Sequence, residues 1–227
     1  MKEYKYQLHC HTTPCSGCGR IKPFELVQYL YKGGYSGAVL TNHFYNGNTG
    51  IDRELSWKKF VGFYEKDFLE CKSFSKNLGI DILFGVEEHI GNGQEILCYG
   101  LTPEMLYSHP ELRERSLELW YNTLSPLGVL IIQAHPFRYR GESNKTGLLP
   151  LEFIDGIEVY NFGNSDEEND AAYKAYCENP DFIVTSGADA HLPHVICHAG
   201  IKTDMRINSS DKLIQFLRNS QYELITE

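Results

Sequence analysis

A chain of 227 residues is long enough for one domain with a full-sized core, and 42% hydrophobic with 22% charged residues is the composition of an ordinary globular protein. No apolar run reaches the length of a membrane span, the N-terminus has no apolar signal-peptide core, and seven cysteines without a disulfide-framework spacing read as reduced thiols, so the expected location is cytoplasmic. With 21 basic and 30 acidic side chains the net charge is −9, which argues against a non-specific nucleic-acid surface and is what a carboxylate-bearing metal site produces before its cations are counted.

The first element is Tyr4-Lys5-Tyr6-Gln7-Leu8, whose alternation of aromatic and polar residues predicts a strand. It runs into His9-Cys10-His11-Thr12. On a strand, His9 and His11 share a face and make half of a divalent-metal site. Ile21–Gly33 reads as a helix, with Pro23 suited to its first turn and Gly33-Gly34 to its end. Gly37–Leu40 is a short buried strand leading to Thr41-Asn42-His43. Ile51–Asn77 contains a long helix with Phe60, Phe63, Tyr64, Phe68 and Cys71 on its apolar stripe. Ile80–Val86 is a buried strand ending at Glu87, and Glu95–Tyr99 is the next, after the turn Gly91-Asn92-Gly93. A helix is expected over Glu111–Leu124 and a strand over Gly128–Gln133, ending at Ala134-His135-Pro136. Ile154–Tyr160 (strand), Glu167–Glu178 (helix), Phe182–Thr185 (strand) and Ser210–Arg218 (helix) complete the series. Asp166-Glu167-Glu168 suits the start of a helix, where carboxylates complement the dipole. The loops at Tyr139–Pro150 and Asn161–Asp166 are long and polar.

Strands alternate with helices almost throughout, so the class is α/β with a mainly parallel sheet, in a single domain over residues 1–227. Ligands of such sheets sit at the C-terminal ends of the strands. That is where the sequence puts His9 and His11, His43, Glu87, His135, and Asp189 with His191.

In order, Leu8-His9-Cys10-His11-Thr12 with Ser16, Leu40-Thr41-Asn42-His43, Gly85-Val86-Glu87, Ala134-His135-Pro136-Phe137-Arg138 and Ser186-Gly187-Ala188-Asp189-Ala190-His191 resemble the motifs of the PHP (polymerase and histidinol phosphatase) family of metal-dependent phosphoesterases. Asp155–Asn161 resembles the strand that precedes the family's last motif. The likeness runs from residue 8 to about 200. It implies a distorted (β/α)7 TIM-like barrel, the PHP fold, with two or three divalent metal ions (Zn, Mn or Fe) at its mouth. It also implies hydrolysis of a phosphate ester by a metal-bound hydroxide. Carried over to this chain, the first metal takes His9, His11, Glu87 and Asp189. Glu87 bridges to a second metal that also takes His135, and a third takes His43 and His191.

Three positions depart from the family pattern. Where many members carry Asp or His six residues after the second histidine, this chain has Gly17, so the His43/His191 metal is expected to bind more weakly than the others. Cys18 stands next to it, where a thiolate would favour softer metals. Where many members carry a second-metal histidine, this chain has Glu95, which is a ligand for a harder cation such as manganese. The usual Thr-Asp-His reads Thr41-Asn42-His43 and keeps the histidine.

Among the remaining candidates, His89 reads as a supporting polar group, and His109, His194 and His198 read as surface residues. Cys15 and Cys18 form a CxxC that no second pair completes, and read as structural thiols. Arg20, Lys22, Arg138 and Arg140 flank the motif loops, and Arg138 is the candidate for gripping a phosphate. The residues expected to carry the reaction are Glu87, Asp189, His191 and Arg138. The expected function is hydrolysis of a small phosphomonoester, histidinol-phosphate-like or a nucleotide, with nucleic acid and membrane as less fitting partners and the oligomeric state open. The alternatives are a catalytically weak metal-binding regulatory module and an amidohydrolase-like C–N hydrolase. No GxSxG elbow or phosphate-cradling glycine loop supports another hydrolase class.

Overall fold

A computed structural model describes residues 3–141 and 146–227; residues 142–145, part of the polar loop expected over Tyr139–Pro150, lie outside the described set. The strands are β1 (Tyr4–Cys10), β2 (Gly37–Leu40), β3 (Asp81–Gly91), β4 (Gln94–Tyr99), β5 (Leu130–Ala134), β6 (Gly156–Asn161), β7 (Ile183–Gly187), β8 (Ala199–Thr203) and β9 (Glu223–Thr226). The helices are α1 (Pro23–Lys32), α2 (Trp57–Ser75), α3 (Pro103–Ser108), α4 (Leu117–Leu124), α5 (Asp166–Glu178) and α6 (Ser210–Asn219). The strands form one sheet in the order β7-β6-β5-β4-β3-β2-β1-β8-β9. A parallel bridge between Cys10 and Ala190 joins β1 to the segment after β7 and nearly closes a barrel.

The sheet is not mainly parallel. β1–β2–β3 and β5–β6–β7 are parallel, but β4 runs antiparallel to both of its neighbours, β8 is antiparallel to β1, and β9 is antiparallel to β8. The cause is local. The turn Asn92-Gly93 has φ of 53° and 76°, the left-handed pair that closes a tight hairpin, so β3 turns straight back as β4 without a crossover helix. β3 also runs past Glu87 to Gly91 rather than ending there. The helix expected over Glu111–Leu124 is divided: a 3₁₀ turn covers Pro110–Arg113 and α4 begins only at Leu117. Ser116 caps α4, its hydroxyl accepting from the Leu119 amide at 3.2 Å. α3, β8 and β9 were not expected. The start of α5 was, and Ser165 with Glu168 forms a reciprocal capping box there.

The period-2 rule explains how the strands build both the core and the site. Tyr6 and Leu8 of β1, Val39 of β2, Leu83 of β3, Leu97 and Tyr99 of β4, and Leu130 and Ile132 of β5 pack together inside the barrel. Leu213, Phe216 and Leu217 of α6 join the same cluster. Two residues further along the same faces come Thr41 then His43, Gly85 then Glu87, and, in the reversed β4, Glu95. A barrel floor of apolar side chains therefore carries a rim of ionisable ones.

Candidate metal centre

His9 and Leu8 are consecutive, so a regular strand would send them to opposite faces. The β1–β2 register shifts by one residue between Gln7 and Cys10. This bulge lets Leu8 join the apolar floor while His9 and His11 turn to the rim. β6 has the same device between Glu158 and Tyr160. His135 and Asp189 reach the rim through left-handed backbone, φ 29° and 49°, which non-glycine residues adopt only when their surroundings hold them there. His135 is held by its amide donating to Glu158 Oε2 at 3.1 Å and by its carbonyl accepting from the Arg138 amide at 3.0 Å.

All the side chains named as ligands from the sequence come together. His9, His11, Glu87 and Asp189 place ligand atoms within 4.8 Å of one another, as do His43, Glu87 and Glu95, and His11, His43 and His191. Glu87 is central. Its Oε1 is 3.2 Å from His9 Nε2 and 3.1 Å from His135 Nε2, and its Oε2 is 2.7 Å from His43 Nδ1 and 3.5 Å from His11 Nε2. Asp189 Oδ1 is 3.0 Å from His11 Nε2 and 3.4 Å from His9 Nε2. Glu95, at the start of antiparallel β4, reaches the rim because its strand is reversed, with Oε2 3.5 Å from His135 Nε2.

These residues fit a bound cation. His9 Nε2, His43 Nδ1 and Glu87 Oε2 are buried and have no hydrogen-bond partner, although they lie in the midst of one another. Ligand atoms that crowd together at about 3 Å without hydrogen-bond alignment are the edges of a coordination polyhedron whose radius is about 2.1 Å. Charge agrees. Burial would raise the Glu87 carboxyl, yet the rings of His9 and His43 hold it well below its ordinary value. Burial also opposes ionisation of Asp189, which His9 and Arg138 bring well down. For Glu95, burial together with the Glu87 charge outweighs the pull of His43 and His9 and pushes it up to about 8. Positive charge placed among the three would let all of them ionise.

The tautomers are fixed from outside the cluster. Glu158, a buried carboxylate on β6, accepts from His9 Nδ1 at 3.0 Å, leaving the His9 Nε2 lone pair toward Glu87. Ser16 gives its hydroxyl proton to Asn42 Oδ1 at 2.9 Å, so its oxygen accepts from His11 Nδ1 at 3.0 Å and from the His43 amide at 3.0 Å. Arg138 does not stand free. Its Nη1 binds Asp189 Oδ2, its Nη2 binds Asn161 Oδ1, and its Nε donates to Asn164 Oδ1 at 2.6 Å. Arg138 and Arg140, with His89, Gly93, Glu95 and His135, line a cleft of about 270 Å³ beside the cluster. His89 accepts from the Gly93 amide at 3.2 Å, and His109 pairs with Glu111 away from the cluster.

Glu158 was the principal residue not singled out from the sequence. Its signal was a lone inward carboxylate in the otherwise apolar strand Gly156–Tyr160. Asp67 was the other. It sits on the buried face of α2 and accepts from Thr12 Oγ1 at 2.6 Å and Asn42 Nδ2 at 2.9 Å, joining the loops that carry His11 and His43. Burial pushes its carboxyl from 3.8 to about 6 against those two hydrogen bonds, and its Oδ1 has no partner. The folded state therefore holds the Asp67 proton more tightly than the unfolded chain, and stability falls as pH rises from about 4 through about 6. The loss is on the order of 3 kcal/mol. Asp67→Asn keeps an acceptor for both donors without the charge. In the metal-free protein it should raise Tm above pH 6 and flatten the pH dependence below it, and an unchanged slope would remove Asp67 from that titration.

No family model and no curated protein matches the sequence. Solved structures do match the fold. A two-domain protein from Bacteroides vulgatus, described as containing a predicted PHP-like metal-dependent phosphoesterase, superposes with a TM-score of 0.72 at 14% identity over 100% of this chain; the chain spans 65% of that protein. An amidohydrolase from Chromobacterium violaceum gives 0.62 at 17% identity, covering 93% of this chain and 96% of that one. A lesion-specific endonuclease from Pyrococcus furiosus gives 0.60 at 15% identity, covering 98% of this chain and 58% of that one. Among the described residues no helix is long and apolar enough to cross a membrane. The chain has the fold of these proteins, the first of them described as PHP-like, which is the distorted TIM-like barrel that its strand-end motifs imply.

Proposed function

We propose that this protein is a metal-dependent phosphoesterase acting on a small phosphomonoester. The observation that carries the reading is the set of buried ligand atoms of His9, His43 and Glu87 that have no hydrogen-bond partner and that a cation among them would satisfy. His9, His11, Glu87 and Asp189 would hold one ion, with Glu87, His135 and Glu95 toward a second and His43 and His191 toward a third. Bound divalent cations would polarise the phosphoryl oxygens and lower the pKa of a water nucleophile. The chain does the rest. Glu87 presents one oxygen to each side of the cluster, and Glu158 and Ser16 keep His9 and His11 in the ligating tautomer. Arg138 locks Asp189, and in this reading it is a positioning residue whose charge also faces the cleft. Arg140, in the same cleft, is the freer guanidinium for a phosphate dianion.

The cleft's volume and the net charge of −9 favour a small ester over nucleic acid. The fold alone does not separate them, because one similar structure is an endonuclease. The amidohydrolase likeness keeps C–N hydrolysis as the competing reading. Metal-stripped protein reloaded with manganese or zinc should hydrolyse p-nitrophenyl phosphate and be silenced by chelation. Preference for bis-p-nitrophenyl phosphate or a DNA oligonucleotide would move the substrate to diesters. Turnover of amides alone would replace the reading.

Glu95 tests the second ion. Glu95→Ala should lower metal content and cut turnover by at least about tenfold, while Glu95→His should retain much of both. Full activity in Glu95→Ala would remove Glu95 from the site.

A further inference from the structure

Glu158 and Arg138 support two different ligands and carry opposite charges. Glu158 Oε1 accepts from His9 Nδ1 at 3.0 Å, and Arg138 Nη1 holds Asp189 Oδ2. Left to themselves, a buried carboxylate and a neighbouring guanidinium would pair directly, because attraction between charges is strong where water is excluded. Each would then leave the ligand it supports. One side chain stands between them. Asn161, fully buried on β6, donates from Nδ2 to Glu158 Oε2 at 2.8 Å, and its Oδ1 accepts from Arg138 Nη2.

The partners admit only this orientation of the amide. Its Oδ1 also receives the Gly163 amide at 2.8 Å, and the facing groups on that side are donors only. On the other side, Glu158 Oε2 already accepts from the His135 amide at 3.1 Å, and an ionised carboxylate has no proton to give. The bulge between Glu158 and Tyr160 brings residue 161 to the side of Glu158, which three steps along a regular strand would not do. Asn169 of α5 clamps the backbone there. Its Oδ1 accepts from the Asn161 amide at 2.9 Å, and its Nδ2 donates to the Asn161 carbonyl at 3.2 Å. Gly163 leaves room for the contact, since a Cβ there would meet Arg138 Nη2 at 3.1 Å and Asn161 Oδ1 at 3.2 Å. A continuous path therefore runs from His9 to Glu158, Asn161, Arg138 and Asp189. Asp189 Oδ1 lies 3.4 Å from His9 Nε2, which closes the path into a ring.

We propose that Asn161 is a positioning residue of the metal centre. Its amide gives each charge a partner of the right polarity, and so keeps Glu158 on His9 and Arg138 on Asp189. The inference rests on the reading that the cluster holds metal. His9 and Asp189 come from distant parts of the chain, and a cation that takes both needs their ligand atoms fixed toward one point. An aspartate at this position would set a second carboxylate against Glu158 and offer Arg138 a rival to Asp189. A leucine would satisfy neither neighbour and leave the two charges to pair.

The test is zinc affinity of the full-length, metal-stripped protein, measured by chelator competition. Asn161→Asp and Asn161→Leu should each weaken the tightest zinc equivalent by about 10- to 100-fold, the range for losing a group that orients a ligand. Asn161→Asp is nearly isosteric and carries the test if the leucine variant does not fold. A merely structural side chain would add its cost to any other change. A positioning one acts through Glu158, so in a Glu158→Gln background the same Asn161 substitutions should cost under about threefold. Wild-type zinc affinity in Asn161→Asp, or a full additional loss in the Glu158→Gln background, would overturn the positioning role while leaving the metal centre standing. No zinc binding in wild type would overturn the metal centre and this inference with it.

Discussion

Glu87→Gln should lower kcat by at least about 10³-fold, on the order of 4 kcal/mol in the barrier. Glu87 has each oxygen within 3.5 Å of two histidines of the cluster, Oε1 toward His9 and His135 and Oε2 toward His43 and His11. Glutamine keeps the size but replaces one oxygen by an N–H₂ group, which would point two protons at imidazole lone pairs arranged to receive a cation. It also removes the charge that two neighbouring cations would share, so both should be lost or displaced together. Metal analysis alongside steady-state kinetics checks this. Near-normal turnover, in protein shown free of wild-type enzyme, would end the bridging role.

Gly187→Ala should be nearly as damaging, although no ligand is altered. A Cβ on Gly187 would stand 2.2 Å from Glu158 Oε1 and 2.4 Å from His9 Cβ. Neither neighbour is free to move. Glu158 is held by Asn161 Nδ2 at 2.8 Å and by the His135 amide, and His9 is held by the bulge in β1. Overpacking of this kind costs about 1–3 kcal/mol, and displacing the carboxylate that orients a ligating histidine costs about 10- to 100-fold in metal affinity. The variant should therefore lose both Tm and metal content. Gly62→Ala is the control, since a Cβ in that turn of α2 meets only Tyr107 OH at 3.5 Å. Wild-type metal content in Gly187→Ala would show that Glu158 and His9 are not packed as described.

The ligands were legible in the sequence because a half-buried strand advertises its rim: an apolar run fills the barrel, and the first ionisable residue beyond it has nowhere to go but the mouth. His43, Glu87, His135 and the Asp189/His191 pair follow that rule. What supports them was not legible. Glu158 sits inside an apolar strand rather than at its end, and Asp67 is one charged residue among many on a long helix, so only the packing reveals that both are buried against the loops of the site. The bulge in β1 could not be read from residues 4–11, and without it His9 would share no face with the barrel interior that Leu8 occupies. The reversal of β4 was written in Asn92-Gly93, a hairpin signal, yet its consequence appears only when Glu95 is seen at the start of a strand lying level with the ends of the others. The guanidinium of Arg138 is the clearest case of geometry adding to sequence: the residue flanks the motif as expected, but it is turned onto Asp189, Asn161 and Asn164.

The central claim is that this cluster is a centre of divalent cations held by Glu87 and the histidines around it. Anomalous scattering from crystals of the protein grown with manganese and zinc measures that directly. The account predicts peaks at about 2.0–2.3 Å from the ligating atoms of His9, His11, Glu87 and Asp189. It further predicts a peak between Glu87, Glu95 and His135, and a third, weaker one beside His43 and His191. Crystals with ordered His9, Glu87 and Asp189 side chains but no anomalous density among them would contradict it.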